Sequence, residues 1–417
     1  MKKLRFREIV LVVPLLCTIT PIASSAQVFR TLLRFDGIDG ASSSSLVQGR
    51  DGNFYGTTWG DDGGEVFKMT PLGELTVLYH FCLYPSCNDG AFPYYGGLLQ
   101  ATNGGFYGTT TAGGTHKGGT VFEITPNGKL TTLYSFGTQT NDGESPYGVL
   151  VQGANDEFYG TTFAGGAYGE GTVFKITPTG KLTTLHSFCR LGGLCPDGEQ
   201  PLAGLAQGPD GNFYGTTSSG SAGAYCGGVQ CGTVFKITPA GRFTTLHTFC
   251  SQMGCSDGAQ PYAALVLGAD GIFYGTTAGS KGHPDTVFKI SLRGRLTTLY
   301  TFCQQKNCSD GFSPMAGLIQ GSDGDFYGTT AYGGITRGHF CRVQVGCGTV
   351  FKITARGKLT TLHRFCAGGY PCPNGWLPEA NLVQSSDGSF YGSTVGGGNE
   401  TGQCKGGGCG IVFKVAP

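Results

Sequence analysis

The residues best equipped for chemistry here are the seventeen cysteines, and their spacing is the first clue to their use. Apart from Cys17 they fall in near pairs: Cys82/Cys87, Cys189/Cys195, Cys226/Cys231, Cys250/Cys255, Cys303/Cys308, Cys341/Cys347, Cys366/Cys372 and Cys404/Cys409. Four or five residues separate the members of each pair, whereas zinc knuckles favour Cys-x-x-Cys. Small loops closed by disulfides are therefore the expected chemistry, provided the chain leaves the cytoplasm. Bridges between one pair and its neighbour in space are the competing arrangement.

The acidic residues and histidines point to structure before catalysis. Asp-Gly recurs at Asp39, Asp89, Asp142, Asp197, Asp257 and Asp310, with Asn374 in the last copy. A residue that returns in every copy suits a turn whose carboxylate accepts nearby backbone N–H groups. A carboxylate ring holding a cation is the sharper alternative. The turns at Asp51, Asp210, Asp270 and Asp323 carry only one or two carboxylates, too few oxygens for a dedicated calcium loop. His186, His247 and His363 take a slot that Tyr79, Tyr134 and Tyr300 fill elsewhere, which reads as packing. His116, His283 and His339 lie in loops and are not repeated. There is no Gly-x-Ser-x-Gly elbow and no assignable Ser/His/Asp set. The sequence nominates no catalytic residue, no metal site and no cofactor.

The elements that hold these residues come from a repeat. Phe-Tyr-Gly starts at Phe54, Phe106, Phe158, Phe213, Phe273, Phe326 and Phe390, and Val-Phe at Val66, Val121, Val173, Val234, Val287, Val350 and Val412. Seven copies of each, 52 to 64 residues apart, define seven units. In the third, Gly148 to Gln152, Glu157 to Thr162, Thr172 to Thr177 and Lys181 to Phe188 read as β-strands separated by turn residues. No segment keeps a helical period. Four-stranded units in this number build an all-β, seven-bladed β-propeller of meander blades. The last unit stops after its third strand, while Val28 to Phe35 carries the fourth-strand pattern. The N-terminal strand is expected to complete the last blade and close the ring, leaving no raw sheet edge.

The start of the chain has a different character. Lys2, Lys3, Arg5 and Arg7 precede an apolar run from Ile9 to Leu16, and Ser24-Ser25-Ala26 follows. Residues 1–26 read as a secretory signal peptide and 27–417 as the propeller domain. Leu15 and Leu16 before Cys17 do not suit a lipobox. The mature chain would carry sixteen cysteines and a net charge of −2. A near-neutral surface offers no concentrated basic field for nucleic acid or an anionic membrane, and no later apolar run reaches spanning length. A monomer, secreted or periplasmic, without membrane insertion after cleavage, is expected.

Gly211 to Thr217, with its Gly-x-Phe-Tyr-Gly-Thr-Thr core, and Gly-Thr-Val-Phe-Lys-Ile-Thr-Pro-x-Gly at Gly232 to Gly241 resemble the GloVer tandem repeat of bacterial exported, choice-of-anchor proteins. The resemblance spans the mature chain and implies an extracytoplasmic repeat protein. The sequence shows no C-terminal anchor, which favours a released or periplasmic protein.

Two functions fit. The first is a non-catalytic scaffold whose variable, disulfide-stiffened loop rim binds a glycan or a surface protein. Its candidate contacts are the unrepeated Trp59, Phe163, Tyr168, Tyr225, Tyr332, Arg337, Arg342 and Trp376, aromatic and arginine side chains of the kind that anchor interfaces. The second is a propeller enzyme of lactonase or hydrolase type, with a metal or carboxylate pair in the central channel. Fold alone selects neither.

Overall fold

Each unit folds as its β-branched and aromatic runs dictate. The third contains Val151–Gln152, Phe158–Thr162, Thr172–Ile176 and Leu182–Ser187, paired antiparallel in that order. A computed structural model describes residues 29–417 except 39, 61–62, 85, 94–96, 192, 194, 222–224, 227–230, 280–281, 335–345, 368–371, 399–403 and 405–406. Seven such antiparallel sheets make a seven-bladed β-propeller; in the first blade the inner element is split in two. Helix among the described residues is limited to short 3₁₀ turns such as Met253–Cys255 and Lys306–Cys308. No described helix is long and apolar enough to cross a membrane.

The Phe-Tyr-Gly motif is the joint between blades. Its tyrosine packs face-on against the motif's phenylalanine in the next blade, stacked in Tyr55 on Phe106, Tyr107 on Phe158, Tyr159 on Phe213, Tyr274 on Phe326 and Tyr327 on Phe390, and tilted in Tyr214 on Phe273. Tyr391 on Phe54 completes the circle, and all seven centroid separations lie between 3.9 and 4.4 Å. Each such pair adds roughly 0.5–1.5 kcal/mol beyond its area burial. The motif's glycine has no alternative: a Cβ there would sit 2.5–2.8 Å from the ring of the Val-Phe phenylalanine on the next strand. Adjacent threonines tie the second and third strands, as in Thr162 to Thr172 and Thr217 to Thr233, both 2.9 Å.

Closure follows the expected permutation. Phe29–Arg34 pairs antiparallel with Ile411–Val415, from Phe29 opposite Val415 to Arg34 opposite Ile411. Phe29 also stacks on His363 of the preceding blade at 3.6 Å. Residues 1–28, with the proposed signal peptide, lie outside the described residues.

The inner strands are shorter than the sequence suggested. Gly148 to Leu150 precede the ladder instead of joining it. Here the blades crowd the axis: a Cβ on Gly148 would lie 2.4 Å from the Gly204 nitrogen, and one on Gly204 would lie 2.3 Å from the Val149 oxygen. Backbone meets backbone between blades, so these residues are unavailable for pairing within one.

Candidate functional site

The residues just ahead of each inner strand are positioned by a strained turn. Phe92, Ser145, Gln200, Gln260, Ser313 and Leu377 precede a proline or the first channel residue, with Ser42 equivalent in the first blade. All seven have φ between 49° and 59°, a left-handed backbone that side chains other than glycine resist. Each donates its backbone N–H across the blade connection. The N–H groups of Phe92, Ser145, Gln200, Gln260, Leu377 and Ser42 donate to the oxygens of Gly63, Gly118, Glu170, Cys231, Cys347 and Cys409. In the sixth blade the acceptor is the Asp285 carboxylate, 2.7 Å from the Ser313 nitrogen. Such strain, repeated and over-determined, marks segments the fold must aim.

What they aim at is the axis. Segments from six blades line one cavity of about 620 Å³, with Ser44, Tyr147, Leu202, Tyr262, Met315 and Glu379 among its walls. Five blades supply the residue after a proline: Tyr147, Leu202, Tyr262, Met315 and Glu379. Phe163 adds a ring, tilted against Tyr147 at 5.3 Å. The described lining contains one carboxylate, Glu379, and no histidine, cysteine, lysine or arginine. Burial pushes both the Glu379 carboxyl and the Tyr262 hydroxyl above their ordinary pKa. Asn381 Oδ1 accepts from the Gly317 N–H at 2.6 Å, bracing the wall. Sequence reasoning missed this site. Its signal was a break in a repeat: one slot that varies among Tyr, Leu, Met and Glu while its neighbours recur.

Of the six nominated residues that the structure describes, Phe163 alone is among those that line the cavity. Trp59, Tyr168 and Tyr225 stand exposed, at 43%, 49% and 48% of their surface. Tyr332 stacks on Phe312 at 5.5 Å. Trp376 is committed to packing, its indole N–H donating to the Gly407 oxygen at 2.9 Å. Arg337 and Arg342 lie outside the described residues.

The bridges Cys82–Cys87, Cys189–Cys195, Cys226–Cys231, Cys250–Cys255, Cys303–Cys308, Cys366–Cys372 and Cys404–Cys409 join near neighbours. Cys347 is also bridged, and Cys341 lies outside the described residues. Sulfurs of different pairs come together: Cys226, Cys231 and Cys250 lie within 4.8 Å of one another, as do Cys347, Cys366 and Cys372. In the disulfide form these sulfurs are not thiolate ligands.

The Asp-Gly carboxylates of Asp89, Asp142, Asp197, Asp257 and Asp310 are engaged in the blade connections. Asp142 accepts the Gly137 N–H at 3.1 Å and the Tyr134 hydroxyl at 2.5 Å. Asp197 accepts the Cys189 N–H at 3.1 Å and meets His186 Nε2 at 3.0 Å. The Tyr/His slot thus packs, as its alternation suggested, with His186 stacked on Phe243 at 3.9 Å, and it hydrogen-bonds the connection carboxylate as well. Where the partner is Asn374, His363 lacks a carboxylate, and burial pushes its pKa down to about 4. Asp51, Asp210, Asp270 and Asp323 likewise hold the hydroxyls of Tyr55, Tyr214, Tyr274 and Tyr327 at 2.8–2.9 Å.

Comparison with known proteins gives one family and a fold. A family model described as the Gloeobacter/Verrucomicrobia repeat matches residues 16–226, 138–341 and 224–417. No curated protein matches. Among solved structures, a catalytically inactive virginiamycin B lyase from Staphylococcus aureus with quinupristin is similar at 12% identity and TM-score 0.60, over 94% of this chain and 99% of that one. A streptogramin B lyase gives 12% and 0.58 over 93% and 97%. An oligogalacturonate lyase from Vibrio parahaemolyticus gives 9% and 0.51 over 94% and 97%. At these identities the likeness is one of fold.

Proposed function

The chain belongs to the Gloeobacter/Verrucomicrobia repeat family, and from that premise we propose that it is an exported, non-catalytic binding protein. It seats a glycan at the mouth of its central channel, on a loop rim that the disulfides stiffen. One observation carries this reading. In a chain where structural positions recur blade after blade, the slot after the proline changes, and its occupants Tyr147, Leu202, Tyr262, Met315 and Glu379 line one cavity. At about 620 Å³ it falls in the range of small-ligand sites. A flat protein partner would need roughly 800 Å² per side, whereas a concavity takes the end of a chain of sugars. Aromatic faces at Tyr147, Phe163 and Tyr262 suit sugar rings, and Ser44, Ser45 and Asn381 bring hydrogen-bonding groups to the same wall. The disulfides fit an oxidising compartment outside the cytoplasm.

The test is a glycan-array screen of the protein spanning residues 27–417. Retention of a defined glycan, weakened at least about tenfold by Tyr262→Ala with the melting temperature kept, is the expected result. No retained glycan, or one indifferent to Tyr262→Ala and Phe163→Ala, would sink the reading. Cleavage of a retained glycan would instead establish the hydrolase alternative.

A further inference from the structure

Glu379 is an anomaly within its own ring of slots. Four sister positions hold Tyr147, Leu202, Tyr262 and Met315, so the fold accepts large apolar side chains there. The recurring turn and connection carboxylates elsewhere are engaged: Asp142 by Tyr134, Asp197 by His186, Asp257 by His247 and Asp310 by Tyr300. Glu65, buried in the first blade, meets His80 Nδ1 at 3.0 Å. Among the described residues, no hydrogen bond or ion pair reaches the Glu379 carboxylate, and no basic side chain shares the cavity with it. A carboxylate partly withdrawn from water without a partner costs free energy, and no positive charge among the described cavity residues offsets it. A cation arriving with the ligand would.

We infer that the ligand presents a protonated primary amine to Glu379, which makes it a glycan bearing an unacetylated amino sugar. The inference rests on the channel-mouth reading above and names the class of ligand for the same site. The surrounding rings strengthen it. Tyr147, Phe163 and Tyr262 offer π faces that attract cations as well as sugar C–H groups. An acetylated sugar would bring an amide in place of the ammonium, leaving the carboxylate without a counter-ion. Glu379 therefore acts as a selector between two glycans that share one backbone.

The test titrates four probes against the protein: a β-1,4-linked glucosamine tetramer, its fully N-acetylated counterpart, 3-phenylpropylamine and 3-phenylpropanol. The glucosamine tetramer is expected to bind at least about tenfold tighter than the acetylated one. Glu379→Gln should bring the two to parity. Glu379→Tyr, which restores the residue found at Tyr147 and Tyr262, should abolish the preference in a protein of unchanged melting temperature. Equal binding of both tetramers, unaltered in Glu379→Gln, overturns the amine inference and leaves the glycan site standing. Binding of neither tetramer, with a Glu379-dependent preference for the phenylpropylamine over the alcohol, supports the amine and overturns the glycan reading. Absence of any Glu379-dependent preference overturns the inference outright.

Discussion

Asp285 stands where the other blades place a glycine ahead of the third strand, from Gly64 to Gly410. Its carboxylate replaces a backbone carbonyl in holding the strained turn, and burial pushes its pKa up to about 6 from an ordinary 3.8. A raised folded-state pKa gives stability that is full below the unfolded value and lost as pH rises through the folded one. At pH 7 the ionised side chain is thus a cost. Asp285→Asn keeps an acceptor for the Ser313 N–H and removes the charge. Thermal melts should show it more stable at pH 7 by roughly 1–3 kcal/mol, a gain that fades below about pH 4; equal melting at pH 7 would refute this. His363 runs the other way. Its depressed pKa means stability present above 6.5 and lost as pH falls towards 4. Asn374→Asp supplies the carboxylate that His186 and His247 already have, and should flatten the acid-side loss in the same melts. Neither effect was legible in the sequence. The Asp-Gly repeat was visible, but its partners lie 8 to 11 residues back in the Tyr/His slot, and only the turn of the connection brings them together.

At the scale of elements, Phe29–Arg34 is bound to the far end of the chain by a ladder and by the Phe29–His363 stack. Deleting residues 27–36 would bare the Ile411–Val415 edge, and unpaired edges invite association. A fall in melting temperature of at least about 10 °C, with aggregates in size-exclusion chromatography, is expected. An unchanged, monomeric protein would show that the ring does not need this strand. The pairing could be read from sequence because the fourth-strand pattern appears before the first blade. The truncated inner strands could not, since Gly148 and Gly204 are displaced by contacts between blades that no local pattern records. The bridges belong to loops rather than strands. Reduction should therefore spare the far-UV β-sheet signal at room temperature while making the loops more susceptible to protease. Complete loss of that signal would make the bridges part of the fold's own stability. Because sulfurs of different pairs approach within 4.8 Å, non-reducing peptide mapping is the decisive check on local pairing.

The whole molecule divides labour between what repeats and what does not. Phe-Tyr-Gly, Val-Phe, the threonine pairs and the Asp-Gly connections recur because each joins strands or blades, and a ring of seven needs the same joint seven times. The axis is different. There the repeat relaxes, the backbone is held in a left-handed turn in every blade, and the side chains it aims inward differ from one blade to the next. This is why fold and closure were legible in one sequence, while the site was not: a repeat announces its scaffold, and a binding wall built from its exceptions is recognised only once the blades are assembled. On the function proposed above, this wall is the working face. Hydrogen–deuterium exchange, with and without the best-retained array glycan, tests it most directly. Protection confined to residues 145–151, 200–205, 260–265, 313–318 and 377–382 is the predicted result. Protection on the opposite, tight-turn rim around residues 208–212 and 238–242, with none at the channel mouth, would contradict it.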